Sequence, residues 1–97
     1  MIDLDSKQLE RVKMILKRHI PERRVWVFGS RARGTAKPYS DLDLAVEGAE
    51  KLSFETRRRL QEDFEESDLP IRVDLVELCS VDPAFKQLIE KQRTRLQ

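Results

Sequence analysis

Hydrophobic positions along the chain switch between two periods. Over residues 6–20, Leu9, Val12, Ile15 or Leu16, and Ile20 recur at helical spacing, with Ser6 available as a cap and Pro21 as the stop. Glu22-Arg23-Arg24 reads as a turn. Val25-Trp26-Val27-Phe28 is β-branched and aromatic and predicts a strand. Residues 29–40 hold two glycines and Pro38, so no single regular element spans them, although a helical turn fits after Ser30. Alternation returns from Leu42 to Val46, a second strand ended by Gly48. Ser53 can cap a helix over about 54–67 with Leu60 and Phe64 on its inner face, and Asp68-Leu69-Pro70 breaks it. Ile71 to Leu78 predicts a third strand. A last helix starts near Pro83 with Asp82 as its cap and is expected to bury Phe85, Leu88 and Ile89. Residues 93–97 are too few to assign.

The order helix, strand, strand, helix, strand, helix predicts an α+β fold, a small mixed β-sheet with helices packed on one face. Successive strand side chains point to opposite faces. In 41–46, Leu42, Leu44 and Val46 therefore share one side and Asp41, Asp43 and Ala45 the other. In 71–76, Ile71, Val73 and Leu75 oppose Arg72, Asp74 and Val76. With the apolar sides turned to the helices, Asp41, Asp43 and Asp74 share the uncovered side. The same alternation leaves one pair of Val25/Val27 and Trp26/Phe28 facing away from the helices, and an exposed aromatic pair there could be a partner surface.

Composition narrows the classes. The 97 residues suit one domain, 1–97, able to bury roughly two-thirds of the surface its unfolded chain exposes. Charged residues make up 38%, but 19 basic and 18 acidic side chains leave a net charge of only +1. That balance gives no bulk argument for binding nucleic acid or a membrane. The single cysteine, Cys79, excludes an internal disulfide, suits a reducing compartment, and among apolar neighbours is expected to be buried and inert. With no signal peptide and no apolar run near 18 residues, a cytoplasmic location is expected.

Charge in the middle of a strand needs a reason. Asp41 and Asp43 lie about 6.8 Å apart at Cα on one side of a strand, and a paired neighbour about 4.8 Å away would bring Asp74 beside them. Three unpaired carboxylates repel one another, and a divalent cation relieves the repulsion. Magnesium suits such a site because it takes oxygen ligands and completes its shell with substrate phosphates, and two ions can clamp an in-line phosphoryl displacement. At the other end of the segment, Gly29 and Ser30 form a turn after a strand end whose amides and hydroxyl can cradle an anion. Arg31, Arg33 and Lys37 crowd the same loop and could neutralise phosphate charge.

Gly29-Ser30, ten residues, Asp41-Leu42-Asp43, and a later strand aspartate at 74 resemble the signature of the DNA polymerase β nucleotidyltransferase superfamily. The run GSRARGTAKPYSDLDLAV is most similar to the minimal nucleotidyltransferases, short prokaryotic proteins often paired with a helical HEPN-domain protein in toxin–antitoxin modules. The resemblance implies that Gly29 and Ser30 hold a triphosphate tail, that Asp41 and Asp43 bind two magnesium ions, and that Asp74 binds the catalytic one and assists deprotonation of an acceptor hydroxyl. It further implies transfer of NMP, usually AMP from ATP, to a hydroxyl such as a tyrosine of a HEPN partner, which makes the chain an antitoxin. Larger relatives carry a further domain that selects the substrate. This chain has no room for one, so a partner chain or a homodimer would supply that selection.

Plainer readings stand beside these. Asp41 and Asp43 could be a solvated strand face, Asp74 could pair with Arg72 or a helix arginine, and Ser30 could merely cap a helical turn. Arg57-Arg58-Arg59 reads as the wet side of a helix, Tyr39 as a loop residue that could stack on a base, and His19 as a helix C-terminal cap. A non-catalytic module that neutralises a helical partner by contact would keep the same fold, and a small molecule or a tRNA end could be the acceptor instead.

Overall fold

The computed structural model describes residues 2–97. The first helix, α1, spans Ser6–His19, and Asp5 rather than Ser6 caps it. The Asp5 carboxylate accepts from the Gln8 amide at 2.8 Å while Gln8 Oε1 accepts from the Asp5 amide at 3.2 Å, a reciprocal box that satisfies two otherwise orphaned donors. Next come β1 (Val25–Phe28), one helical turn α2 (Ser30–Arg33), β2 (Leu42–Val46), α3 (Phe54–Glu66), β3 (Val73–Glu77), α4 (Pro83–Gln92) and β4 (Thr94–Arg95). Ser53 and Asp82 cap α3 and α4 as their positions predict. The third strand is shorter than the expected 71–78. Strand β4 lies in the unassigned tail: two residues that are a strand only because β1 pairs with them.

The four strands are ordered β3-β2-β1-β4, with β1 antiparallel to both β2 and β4 and with β2 parallel to β3. Helix α3 makes the crossover that a parallel pair requires. Val25, Val27, Leu42, Leu44, Val73 and Leu75 turn one face toward Val12, Ile15 and Leu16 of α1 and toward Leu60 and Phe64 of α3, forming the main core.

The mixed sheet matches expectation, but the helices do not all share one face. Helix α4 crosses the opposite face, where Ile89 packs with Ala45 and Leu78 against Trp26, Phe28, Val76 and Val81. The alternation explains this: the second face is apolar at Trp26, Ala45 and Val76 before it turns acidic at Asp43 and Asp74, and the apolar part requires cover. Trp26 and Phe28 are therefore not an open partner surface. The Arg93 guanidinium sits 3.9 Å over the Trp26 ring, whose indole N–H donates to Glu47 at 3.1 Å. Of the three apolar residues expected to be buried on α4, only Ile89 is, at 1% exposure; Phe85 and Leu88 remain 37% and 57% exposed.

Three further expectations are corrected. Cys79 is exposed, because it falls in the turn after β3 rather than on the strand. His19 does not cap α1; its Nε2 meets Asp63 of α3 at 2.8 Å, beside Arg18 at 2.9 Å from the same carboxylate oxygen, so the two helices are tied by charge. Arg57 is not on a wet face. It pairs with buried Glu77 at 3.0 Å and donates to the Leu75 carbonyl at 2.9 Å. That contact covers part of the open edge of β3, whereas Arg58 and Arg59 stay on the wet side as expected and pair there with Glu55 and Glu62. No helix among the described residues is long and apolar enough to cross a membrane.

Candidate active site

The sheet register assembles the acidic cluster. Asp74 lies directly beside Asp43 in the parallel β2–β3 pair, and Phe28 lies directly opposite Asp43 in the antiparallel β1–β2 pair. A row therefore runs across the second face of the sheet from Asp74 through Asp43 to Phe28. Asp41 stands two residues before Asp43, on the same side at the mouth of β2. Asp41 and Asp74 are exposed and Asp43 is half-buried.

Partial burial, and then the charges of Asp74 and Asp41, hold the Asp43 carboxyl above the usual carboxylate range, while Arg33 pulls the other way. Among the described residues, none of the three aspartates has an ion-pair partner within 4 Å, which removes the reading in which Asp74 serves Arg72 or a helix arginine. The donor set thus has the chemistry of a hard-cation site, with carboxylate oxygens crowded enough around Asp43 to raise its proton affinity. Among the described residues no three His, Cys, Asp or Glu side chains stand together so as to hold a metal ion by themselves. Magnesium, which keeps waters and takes part of its shell from substrate phosphates, does not require three side-chain ligands.

Gly29 joins β1 to α2 with φ +72° and ψ −154°, a region essentially reserved for glycine. The close approach is as restrictive as the dihedral. A Cβ at position 29 would stand 2.3 Å from Asp43 Oδ2. Gly29 thus lets the turn lie against the central carboxylate. Ser30 opens α2 directly beside it, where the first amides of a helical turn have no acceptor within the turn.

The basic residues of this loop separate. Arg33 is exposed and close enough to Asp43 to lower its proton affinity. Arg31, expected at phosphate, is instead 5% exposed with its guanidinium committed to backbone. It donates to the carbonyls of Asp3 at 2.8 Å, Ser40 at 2.9 and 3.1 Å, and Lys37 and Pro38 at 3.3 Å each. Those contacts fold the 37–40 segment back so that Asp41 enters β2 at the cluster. Residues two apart on a helical turn point in different directions, which separates Arg31 from Arg33, but no sequence signal says which one turns inward. Tyr39 is 88% exposed at the tip of the same loop. Two features went unanticipated: the position of Phe28 directly across from Asp43, and a hollow of about 500 Å³ at the outer edge of β3, lined by Gln61, Phe64 and Glu65 of α3 and by the chain from Leu69 to Asp74.

Comparison with known proteins gives a consistent answer. Residues 10–97 match the family described as Polymerase beta, Nucleotidyltransferase. A curated relative from Haemophilus influenzae, named probable protein adenylyltransferase MntA, is 49% identical over 90 residues, covering 93% of this chain and 79% of that protein. Among solved structures, a toxin–antitoxin with AMP-PNP superimposes with a TM-score of 0.76 at 31% identity, over 92% of this chain and 72% of that one. A tri-AMPylated Shewanella oneidensis HEPN toxin in complex with its MNT antitoxin gives a TM-score of 0.71 at 26% identity, over 97% and 72% of the respective chains.

Proposed function

Because the chain belongs to the Polymerase beta nucleotidyltransferase family, we propose that it is a protein adenylyltransferase acting as the antitoxin of a HEPN-domain partner. The reaction moves AMP from ATP to a hydroxyl of that partner. The acceptor oxygen forms a bond to the α-phosphorus, the α–β anhydride bond breaks, pyrophosphate leaves, and the hydroxyl proton passes to a carboxylate and then to solvent. The observation that carries this reading is the row Asp74–Asp43 with Asp41 on the same side, set against a glycine-serine turn that no larger residue could approach so closely.

Nucleotidyltransferases of this family generally use a divalent metal. Here Asp41, Asp43 and Asp74 would hold it, as a pair of magnesium ions. Once bound, such ions neutralise the triphosphate and lower the pKa of the acceptor hydroxyl. The chain's own groups supply the rest. Gly29 and Ser30 present backbone amides and a hydroxyl to the triphosphate tail, and exposed Arg33 adds positive charge beside it. Asp74 stands on the side of Asp43 away from Gly29, so it faces the acceptor while the turn faces the leaving pyrophosphate. Arg31 takes no part in phosphate binding and acts by positioning the loop.

The test is incubation with magnesium, a HEPN-domain partner, and ATP labelled either at the α- or at the γ-phosphate. Label on the partner from α-labelled ATP alone supports the proposal, and its loss in Asp41→Asn/Asp43→Asn ties it to the cluster. Neutralisation of the partner by that double variant with no label transferred overturns catalysis in favour of contact alone.

A further inference from the structure

The contacts of Arg31 run in two directions, and only one of them leads to the loop before β2. Its guanidinium is buried and, among the described residues, has no carboxylate within 4 Å, so backbone carbonyls alone satisfy its charge. On one edge, Nε and Nη2 both donate to the Ser40 carbonyl, at 3.1 and 2.9 Å. On the other, Nη1 donates to the Asp3 carbonyl at 2.8 Å. The Asp3 amide in turn donates to the Arg31 carbonyl at 2.8 Å. Asp3 therefore grips both the backbone and the side chain of one arginine. Its own segment is held on either side: Ile2 and Leu4 pack against the main core, and Asp5 caps α1.

We propose that residues 2–5 belong to the catalytic apparatus, with Asp3 acting through Arg31 as the positioning residue for Asp41. The role rests on the reading of Asp41, Asp43 and Asp74 as a metal site. Asp43 and Asp74 are fixed by the ladder between β2 and β3. Asp41 stands one residue before β2, outside that ladder, and needs another hold. The Ser40 carbonyl and the Asp41 amide form one planar peptide unit. Two donors on the Ser40 oxygen therefore set the plane from which Asp41 departs. The guanidinium is rigid, so the Asp3 carbonyl on its other edge sets the angle at which those donors arrive. Release of the Asp3 hold leaves Nη1 without an acceptor in a buried place, and the fork shifts together with the peptide it carries. Metal ligands tolerate displacements of only about 0.5 Å before affinity falls. The N-terminal segment thus tunes the metal site without touching it.

Asp3 is the centre of a three-residue turn closed by the Leu4 amide on the Ile2 carbonyl at 3.0 Å. No non-glycine residue among those described has a positive φ, so this is the inverse form, whose central φ of about −75° suits proline. Asp3→Pro therefore keeps the turn and deletes the donor to Arg31. Ser53→Ala serves as the stability-matched control. It removes the hydrogen bond that Ser53 accepts from the Thr56 amide at 3.1 Å, beside the C-terminal end of β3 where the Leu52 amide meets Glu77. Manganese alone is titrated into each protein and followed by electron paramagnetic resonance, well below the melting temperatures. Asp3→Pro is expected to weaken manganese about five-fold, the scale of one lost hydrogen bond, while Ser53→Ala leaves it unchanged. In the metal-free proteins, hydrogen exchange at the Ser40 and Leu42 amides is expected to quicken in Asp3→Pro only. Wild-type manganese affinity in Asp3→Pro overturns the proposal, as does unchanged exchange at Ser40 and Leu42. Equal weakening in both variants shows a general effect of stability and also overturns it. Wild-type protein that binds no manganese contradicts the metal site itself, and metal-free exchange then still decides whether Asp3 holds the loop.

Discussion

Two glycines with nearly the same φ give a controlled test of the site. Gly29 has φ +72° and Gly34 has φ +75°, so alanine at either position is held in backbone space that L-residues avoid. Gly34 is in the ordinary left-handed region with ψ +19°, and nothing lies within 4 Å of an added Cβ. Gly34→Ala should cost about 1–2 kcal/mol from the dihedral alone, a fall in Tm of roughly 5–15 °C for a domain of this size. Gly29 has ψ −154°, a region costlier to an alanine, at about 1–3 kcal/mol. Its Cβ also lands 2.3 Å from Asp43 Oδ2. That clash is cheap for the fold, since the end of an aspartate can swing away. It is expensive for the chemistry, because the group that swings is the central carboxylate of the row. The two variants should therefore lie within about 2 kcal/mol of each other in denaturant unfolding, yet Gly34→Ala should keep nucleotidyl transfer within a few-fold of wild type while Gly29→Ala loses at least 100-fold. Assays well below both melting temperatures, with folded fractions verified, separate the effects. Equal activity in the two variants would refute the reasoning that Gly29 exists to admit Asp43.

Metal should stabilise the fold through the same cluster: magnesium at ten times its dissociation constant adds about 1.4 kcal/mol and raises Tm by several degrees, an increment that EDTA reverses and that Asp43→Asn lacks. Glu77 accepts from the Leu52 amide at 2.6 Å and pairs with Arg57 at 3.0 Å while its own side chain is 4% exposed; Glu77→Ala strands both donors and should cost about 3 kcal/mol in urea unfolding. A loss under 1 kcal/mol would mean that water replaces it. The hydrogen bond from His19, with help from Arg18, holds the Asp63 carboxyl below the usual carboxylate range. A lowered folded-state pKa gives stability that is fully present above the unfolded value near 3.9 and is lost as pH falls through the folded one. The stability gap between wild type and Asp63→Asn should therefore be flat from pH 5 to 7 and close below about pH 4; a gap that widens on acidification contradicts the assignment.

The acidic row was readable because period-2 alternation fixes which side each aspartate takes, and pairing β2 with β3 needed only the right neighbour. The second helical layer was readable in part. Ala45, Val76 and Trp26 already made half of the supposed wet face apolar, a surface too large to leave open, but the sequence does not say that α4 rather than a partner covers it. Arg31 shows the opposite limit. Its guanidinium makes five hydrogen bonds to carbonyls, one as distant in sequence as Asp3, 28 residues away, and composition had marked the loop only as basic. His19 is tied to a residue 44 positions on, and β4 is two residues long; neither leaves a local trace, since each depends on what the fold brings alongside.

The central claim is that carboxylates from β2 and β3 converge on divalent ions beside the glycine turn. Anomalous diffraction from crystals grown with manganese and a non-hydrolysable ATP analogue tests it most directly. The account predicts anomalous peaks bound by Asp41 and Asp43, one of them also reached by Asp74, with the triphosphate on Gly29 and Ser30. Manganese bound to the triphosphate alone, with Asp43 and Asp74 unliganded, would contradict it.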